Sequence, residues 1–572
     1  MLMPSVIQSL RRPSLPRSVK RQRIHRLLLS AALLATVWAQ DADADKKTVC
    51  TITVNSPDEK EAFRRSLPPD KFQFVELVEH GRADWLESAC RQGVRCDVLV
   101  ISGHYDGGNE FFSDQLGAKE FLPVDEMERV SCSDSCPGLF SQLKEVYLFG
   151  CNTLNPESLK SASPEVERSL VRSGSSRAEA SRLSRALSAR HGESSRGRMQ
   201  LIFKDVPAIY GFSSVAPLGP AAASLLGRHF QSAGTSEVGS GRPSARLLAQ
   251  FSGHSLAASG GMTGADPRMG YRQDVCQFSD DRLSPAQKIR FIHELLGRDM
   301  AEVRMFLDRL EKYAASLGPV GLQAPDVSRA LGEIAGDGAA RARYLTFARD
   351  ADEPAIRVRM IDLAHRLGWL SSAEKRAELM RMIGDELASN TVTPAEVALV
   401  CSLNKDGELN EESYRLRLPT MDSTRVSRAA ILACLGDRDA RAQVLLALTS
   451  PNDTEVETAQ VYLRYHPIAD VAELRMLTSG IARMNASNAQ IRALDTLAAQ
   501  QLSDPESLEE LARLFPVAES VGVQTAIAGI LVRSDYQAIA APELAQTVRQ
   551  SRLKGSAGAD MIDVLLRRLE AL

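Results

Sequence analysis

The sequence lacks a dominant charge of either sign. Its 69 Lys and Arg residues nearly balance its 72 Asp and Glu residues, so the formal net charge at pH 7 is only -3. Proteins that bind nucleic acids or anionic membranes through electrostatics carry a large basic excess, and we therefore expect no nucleic-acid partner. After residue 39 the sequence also lacks an apolar run near the ~20 residues that a membrane span requires. We expect no membrane contact beyond an export signal.

The first 39 residues have the pattern of a secretory signal peptide. A basic region at positions 11–26 precedes the 13-residue apolar run LLLSAALLATVWA, Leu27 to Ala39. Val37 and Ala39 stand at the small-residue cleavage positions, and no cysteine there offers a site for a lipid anchor. The segment predicts an exported protein, periplasmic or extracellular. The alternative is an uncleaved N-terminal anchor.

The nine cysteines are unevenly distributed, and seven of them precede residue 280. In an exported protein such cysteines favour disulfides over zinc. An odd number leaves one thiol over, and Cys151 is the natural candidate because the other six lie in short polar segments or near strand edges. Cys90, Cys96, Cys132 and Cys136 could instead hold zinc, although their spacings are loose for a zinc ribbon.

Residues 40–280 are predicted to form an α/β domain. Short apolar runs alternate with helix-like segments such as PDEKEAFRRSL and RADWLESACRQG. β-branched and aromatic runs between helices favour a mostly parallel sheet with helices on both faces, an α/β three-layer sandwich. In such folds functional side chains gather where the strands end. The predicted strands cover residues 48–54, 72–78, 97–102, 146–150, 201–203 and 207–212.

An Arg/Ser-rich insertion is predicted at residues 160–198. This stretch holds eight arginines and eleven serines, and apart from one short amphipathic helix around Ala180 to Leu187 it is expected to be exposed loop. Arg172, Arg177 and Arg190 are candidate sites for proteolytic maturation. The alternative is a solvated insertion without a function.

Residues 281–572 are helical in pattern throughout. Apolar helix starts at Ile356, Val397, Val426, Val456, Ile491 and Val523 are separated by 41, 29, 30, 35 and 32 residues. A drifting period of this length is typical of an all-α solenoid, and the sequence resembles degenerate HEAT-like repeats. Solenoids present extended surfaces, so this part predicts a site for a protein partner; an irregular helical bundle is the alternative. Cys401 and Cys434 are expected to be buried core thiols.

Two apolar runs end in residues that carry chemistry. VLVISGHYDGG, residues 98–108, ends a strand at His104, and VYLFGCNT, residues 146–153, ends another at Cys151. Neighbouring parallel strands would bring both to one sheet edge, where an imidazole can convert a thiol into a nucleophilic thiolate. Gly103 and Gly150 would permit sharp turns and close approach of the backbone. The Cys151 N–H and another near the histidine turn could then bind an oxyanion.

This arrangement resembles the caspase-like cysteine peptidases, the clan that includes legumain, separase and the gingipains. Their pattern is a strand ending in His-Gly and a later strand ending in a small residue and Cys. In caspases the histidine precedes the cysteine by ~50 residues, and the separation here is 47. The resemblance covers roughly residues 48–215. It implies that His104 is the general base and Cys151 the nucleophile, acting on a protein or peptide without a cofactor or metal. Tyr105 replaces the glycine after the histidine, so either the Tyr105 N–H completes the oxyanion hole or the hole is degraded.

Other interpretations remain open at this point. Cys151 could be a structural thiol or half of a disulfide, and a domain with both residues idle would be a catalytically inactive scaffold or interaction protein. Asp106 could orient the site or bind a metal with His104. Ser213 in GFSSVAP lacks the second glycine of a nucleophile elbow, which makes a serine hydrolase the weakest hypothesis.

Overall fold

The computed structural model describes residues 46–571 except 79–85, 115–119, 134–135, 137, 158–162, 173, 192, 233, 390, 411–424, 486, 501, 535–541 and 554–559. The predicted signal peptide lies outside the described residues. The chain divides into two compact units. The first contains residues 46–161 and 188–284, and the second contains residues 162–187 and everything from 285 onward.

Nine strands occur in the described residues, all in the first unit. Six form one sheet in the order β2-β1-β3-β7-β8-β9, in which only β9 runs antiparallel to its neighbour. A small antiparallel sheet contains β4, β5 and β6. The strands are β1 Lys47–Thr53, β2 Phe72–Val78, β3 Val98–Ser102, β4 His104–Tyr105, β5 Glu110–Phe112, β6 Phe121–Pro123, β7 Glu145–Phe149, β8 Ala208–Phe212 and β9 Leu256–Ser259.

Helices make up the rest of the regular structure. They are α1 Asp58–Ser66, α2 Glu87–Arg91, α3 Val124–Cys132, α4 Ser163–Arg172, α5 Arg177–His191, α6 Ser195–Ile202, α7 Gly219–Gln231, α8 Ala245–Gln250, α9 Met269–Ser279, α10 Pro285–Leu296, α11 Met300–Met305, α12 Leu307–Ser316, α13 Pro319–Leu322, α14 Pro325–Ala335, α15 Gly338–Asp350, α16 Pro354–Arg366, α17 Ser372–Ala388, α18 Pro394–Leu403, α19 Arg425–Cys434, α20 Arg438–Ala447, α21 Asp453–Tyr465, α22 Val471–Ala482, α23 Ser487–Ala499, α24 Pro505–Leu514, α25 Val521–Arg533, α26 Pro542–Ser551 and α27 Met561–Glu570. None of the described helices is both long and apolar enough to cross a bilayer.

The prediction of a mostly parallel sheet followed by an all-helical region is confirmed. The central strands are buried along their whole length, as expected for parallel strands covered on both faces. On one face, Val100 and Tyr147 belong to a core that includes Phe63 of α1 and Leu226 of α7. The predicted strand at 201–203 is wrong: residues 201 and 202 end α6, since a three-residue apolar run does not distinguish a strand from a buried helix turn.

Four disulfides join eight of the nine cysteines. They are Cys50–Cys96, Cys90–Cys136, Cys132–Cys276 and Cys401–Cys434. The preference for disulfides and for a free Cys151 agrees with this pairing. The expectation of separate core thiols at Cys401 and Cys434 is wrong, because the two are buried but bonded to each other. Disulfides of this number are typical of an oxidising environment.

The loop expected over most of residues 160–198 is also a wrong prediction. α4, α5 and α6 occupy much of this stretch, and residues 162–187 belong to the second unit rather than to an insertion in the first. Val166, Leu170 and Leu187 pack with Ala301 in a small apolar cluster of that unit. The candidate cleavage positions Arg177 and Arg190 therefore lie within a helix.

Stacked helices form the second unit. Within its C-terminal part, α21 contacts α23, α23 contacts α25, and α25 contacts α27, so that each helix packs on the next but one. The six predicted repeat starts fall in six different helices, α16, α18, α19, α21, α23 and α25. Ion pairs link positions about one repeat apart, as in Arg441–Glu473 and Arg475–Asp504. The unit is repeat-like in this sense.

Candidate functional site

His104 and Cys151 follow two directly paired strand ends. β3 and β7 are parallel neighbours, and their last residues, Ser102 and Phe149, are Cα partners. His104 and Cys151 each come two positions after these partners. The matched register places both residues at the same edge of the main sheet, as the sequence predicts.

Two glycines lie between the strand ends and these residues. The Gly103 N–H donates a hydrogen bond to the Phe149 carbonyl at 3.3 Å. A Cβ atom at Gly150 would lie 2.9 Å from both the Gly103 carbonyl oxygen and the Tyr105 Cβ. Gly150 is therefore required by the close approach of the two backbones, which is the role predicted for it.

Cys151 is partly exposed and begins a turn that is tied to β8. Asn152 adopts the left-handed conformation with φ of 60°, and its N–H donates to the Ser214 carbonyl at 2.7 Å. Buried Thr153 donates to the Gly150 carbonyl and accepts from the Phe212 N–H, at 3.1 and 3.0 Å. Thr153 could not be predicted from the sequence, because a threonine after a strand has no functional pattern of its own.

The sulfur of Cys151 has a backbone donor. The Ala216 N–H points at Sγ with a nitrogen–sulfur distance of 3.3 Å. On either side of Ala216, Val215 and Leu218 are 70% and 73% exposed, which gives the loop beside the thiol an apolar surface.

His104 is positioned in the small sheet. Its ring lies against Phe112, with ring centroids 5.5 Å apart, and its Nε2 is 3.2 Å from Oδ2 of Asp114. Asp114 is another residue that sequence analysis missed, since an exposed acidic side chain ten positions after the histidine has no distinguishing spacing. A carboxylate beside an imidazole can hold the ring in one orientation.

The two candidate catalytic side chains are near one sheet edge but are not hydrogen-bonded to each other in the described structure. His104 faces Asp114, and the Cys151 sulfur accepts from Ala216. Catalytic hydrogen bonds are often long before substrate binds and tighten in the complex. The observed arrangement therefore places an imidazole and a thiol near the same sheet edge without a hydrogen bond between them.

Tyr105 has a buried side chain. Its ring lies against Phe111, with ring centroids 4.8 Å apart, and burial raises the pKa of Tyr105 to about 12. The phenol is thus neutral and is no candidate base. The N–H of Asp106 donates to the Glu110 carbonyl at 3.3 Å. Because successive N–H groups of a strand point to opposite sides, the Tyr105 N–H points away from β5.

The turn after β4 is held from two sides. Oδ1 of Asp106 accepts hydrogen bonds from the N–H groups of residues 108, 109 and 110. Burial would raise the pKa of Asp106, but these donors outweigh it and the pKa is lowered. The carboxylate is therefore a turn cap, which argues against a metal shared with His104. Ser195 donates to the Gly107 carbonyl at 3.1 Å, and Arg198 donates to the Gly108 carbonyl.

Arg198 also binds the carboxylates of Asp125 and Glu128, each at 2.8 Å. It lies in α6, and Glu128 and Asp125 lie in α3, so one guanidinium joins two helices to the turn beside His104. Arg198 ends the Arg/Ser-rich stretch, where one arginine among eight has no distinguishing pattern. Ser213, the weakest candidate nucleophile, donates its hydroxyl to the Ser255 carbonyl at 3.3 Å.

Comparisons with models of known protein families, with curated protein sequences and with solved structures found no match for this chain.

Proposed function

We propose that this protein is a caspase-like cysteine endopeptidase in which Cys151 is the nucleophile and His104 the general base. The observation that supports it is the shared register: both residues stand two positions beyond the paired strand ends Ser102 and Phe149. A second feature agrees with it, because Cys151 is the cysteine that stays outside the four disulfides.

In the proposed reaction, His104 takes the proton of the Cys151 thiol and the sulfur attacks the carbonyl carbon of a peptide bond. The carbonyl electrons move to oxygen, and the backbone N–H groups of Cys151 and Tyr105 are the donors proposed for that oxyanion. His104 then returns the proton to the leaving amine as the carbon–nitrogen bond breaks. Water, deprotonated by His104, hydrolyses the resulting thioester and restores the thiol.

In this proposal the two ring nitrogens of His104 have different roles, because only one of them contacts Asp114. Because Nε2 lies beside the Asp114 carboxylate, Nδ1 is the nitrogen left for proton exchange with sulfur. The apolar side chains of Val215 and Leu218 beside the thiol suit a substrate with an apolar residue next to the cleaved bond. The helical unit would bind a protein partner or hold the substrate, as repeat-like surfaces do.

Export is part of the same proposal. The N-terminal pattern of a basic region followed by a short apolar run directs it, and the four disulfides are consistent with an oxidising destination. The mature enzyme would then act in the periplasm or outside the cell.

The proposal is tested on the non-reduced protein by alkylation with iodoacetamide at pH 5 to 9, with the modified cysteine located by mass spectrometry. We expect Cys151 to react at neutral pH, and His104→Ala to slow that reaction about 100-fold, the scale of general-base contributions. Alkylation that persists in Cys151→Ala identifies reaction at another cysteine.

The companion assay incubates the protein with a mixture of unfolded proteins and sequences the new termini. Cleavage that Cys151→Ala retains would overturn the assignment.

One observation favours a second candidate, a catalytically inactive scaffold. His104 and Cys151 each contact a different group in the described structure, Asp114 and the Ala216 N–H. If this arrangement persists when substrate is present, Cys151 will be alkylated at equal rates with and without the His104 side chain, and no new termini will appear. The same two assays therefore separate the candidates.

A further inference from the structure

Three potential metal ligands meet in the helical unit, far along the chain from His104 and Cys151. Cys401 lies in the last turn of α18, Cys434 is the last residue of α19, and His466 directly follows α21. The sequence separations are 33 and 32 residues, close to the spacing of the predicted repeats. Packing of α18, α19 and α21 on one another brings these equivalent positions together.

The donor atoms are close enough to share one ion. The two sulfurs and a ring nitrogen of His466 lie within 4.8 Å of one another. Cys401 and Cys434 are buried. Nε2 of His466 is a buried atom that has no hydrogen-bond partner in the described structure. Buried imidazole nitrogens normally have a hydrogen-bond partner. Nε2 of His466 has none in the described structure and is therefore free to bind a ligand.

The surroundings orient the imidazole and favour a cation. Tyr462 stacks on His466 with ring centroids 4.8 Å apart and an angle of 23° between the rings. The Arg441 guanidinium of α20 is paired with the Glu473 carboxylate at 2.6 and 2.7 Å, which offsets its positive charge. Helix carboxyl ends carry partial negative charge, and all three residues stand at such ends.

We propose that Cys401, Cys434 and His466 form a redox-gated zinc site. In the disulfide state the sulfurs are bonded to each other and the site is closed. A dithiol reductant opens it: two electrons and two protons pass to the sulfurs, the sulfur–sulfur bond breaks, and the reductant is oxidised to its own disulfide. Zn²⁺ then displaces the two thiol protons and is bound by two thiolates and the His466 imidazole.

The donor set matches zinc chemistry. Thiolate and imidazole are the ligands that Zn²⁺ prefers, and four-coordinate zinc with three protein ligands keeps one position for water or another molecule. His466 is partly buried as a whole residue. The second unit would thus change from a covalently linked to a metal-linked pair of helices without losing the connection between α18 and α19.

The test measures zinc binding to the full-length protein treated with a dithiol and then freed of it. Native mass spectrometry gives the stoichiometry, and Co²⁺ in place of Zn²⁺ reports thiolate ligation through its charge-transfer absorption. Because the other disulfides and Cys151 also offer thiols after reduction, the informative quantity is the difference between variants. We expect wild type to bind one more Zn²⁺ than the Cys401→Ser/Cys434→Ser variant, and His466→Asn to weaken that binding about 100-fold.

His365→Asn is the matched control, since His365 is a histidine of the same unit whose Nδ1 contacts the Leu370 carbonyl at 2.7 Å; it should leave zinc binding unchanged. If His466→Asn does not fold, thermal midpoints decide: Zn²⁺ should raise that of reduced wild type more than that of reduced Cys401→Ser/Cys434→Ser, and a chelator should reverse the rise. Equal zinc binding in wild type and His466→Asn overturns the site. A Cys401–Cys434 disulfide that survives the dithiol while the protein remains folded overturns it as well.

Discussion

The backbone nitrogen of Gly103 lies 3.3 Å from the carbonyl oxygen of Phe149 and donates a hydrogen bond to it. This bond continues the contact between β3 and β7 one step beyond their last paired residues, immediately before His104 and Cys151. The position of the two candidate catalytic residues thus depends on how closely the two backbones approach.

Gly150→Ala tests that dependence. The added Cβ would meet the Gly103 carbonyl oxygen and Tyr105 Cβ, each at 2.9 Å, and overpacking of this kind costs about 1–3 kcal/mol. We expect a lower thermal midpoint and slower alkylation of Cys151. Gly227→Ala is the control, because its Cβ has open space within α7 and should stabilise by about 0.5–1 kcal/mol. Unchanged stability and reactivity in Gly150→Ala would show that the backbones separate without cost.

Asp114→Asn is expected to have a small effect on Cys151 reactivity. Asp114 is 66% exposed at its side chain, and exposed ion pairs contribute about 0.2–1 kcal/mol, which corresponds to less than a tenfold change in rate. Alkylation kinetics at neutral pH measure it, beside Asp70→Asn, an exposed carboxylate before the start of β2. If Asp114→Asn slows alkylation of Cys151 as much as His104→Ala does, Asp114 does more than position the imidazole.

Glu59→Gln should stabilise the protein in a pH-dependent way. Glu59 is 3% exposed, and burial raises its pKa to about 7 from 4.5. Because the pKa of Glu59 is higher in the folded state, its contribution to the free energy of unfolding is fully present below pH 4.5. That contribution falls by about 3 kcal/mol in total as the pH rises through 7. Glutamine avoids this loss because it never ionises.

Unfolding of Glu59→Gln and wild type at pH 4, 6 and 8 measures the difference, which should grow from near zero to its full size. Glu61→Gln removes a partly exposed carboxylate from the same helix and controls for the change of net charge. A constant difference at all three values of pH would contradict the raised pKa.

Glu145 anchors a loop at the other end of β7. Its carboxylate, 1% exposed, accepts the N–H groups of Gly239, Ser240 and Gly241 at 2.9–3.1 Å and the hydroxyl of Tyr147 at 2.7 Å. Glu145→Ala leaves these donors without an acceptor and should cost about 3–5 kcal/mol, the scale of a broken buried charge interaction. Glu145→Gln keeps one acceptor oxygen and should cost less.

Hydrogen exchange at residues 239–241 identifies the cause of that loss. The amides should exchange faster in Glu145→Ala than in wild type, whereas amides of β1 and β3 should change only as far as global stability falls. Equal acceleration throughout the first unit would mean that Glu145 supports the sheet rather than the loop.

The sheet could be predicted because its strands are rich in apolar, β-branched and aromatic residues and alternate with helix-like segments. Five of the six expected strands occur, within one or two residues of their predicted ends. The failures have a shared cause. α4 and α5 are rich in serine and arginine, and the apolar side chains that they bury share a cluster with Ala301, more than 100 residues later. A contact between residues so far apart leaves no periodic pattern in the local sequence.

The candidate site divides in the same way. His104, Cys151 and Gly150 could be predicted because a strand end, a glycine and a reactive residue are adjacent in the chain. Asp114 and Arg198 could not, because a surface carboxylate and a helix arginine become relevant only through the turn that they hold. The Cys401–Cys434 bond was missed since both residues fit a helical core pattern equally well with or without it.

The assignment of residues 162–187 to the helical unit has a consequence for biosynthesis. α4 and α5 leave the ribosome before β8 and β9, but Ala301 follows only after more than 100 further residues. At ~5–20 residues per second, their apolar side chains wait on the order of 10 s for that contact. The first unit can complete its sheet during this interval. Nascent chains should therefore be most prone to aggregate, or to bind chaperones, after α4 and α5 are synthesised and before Ala301 is.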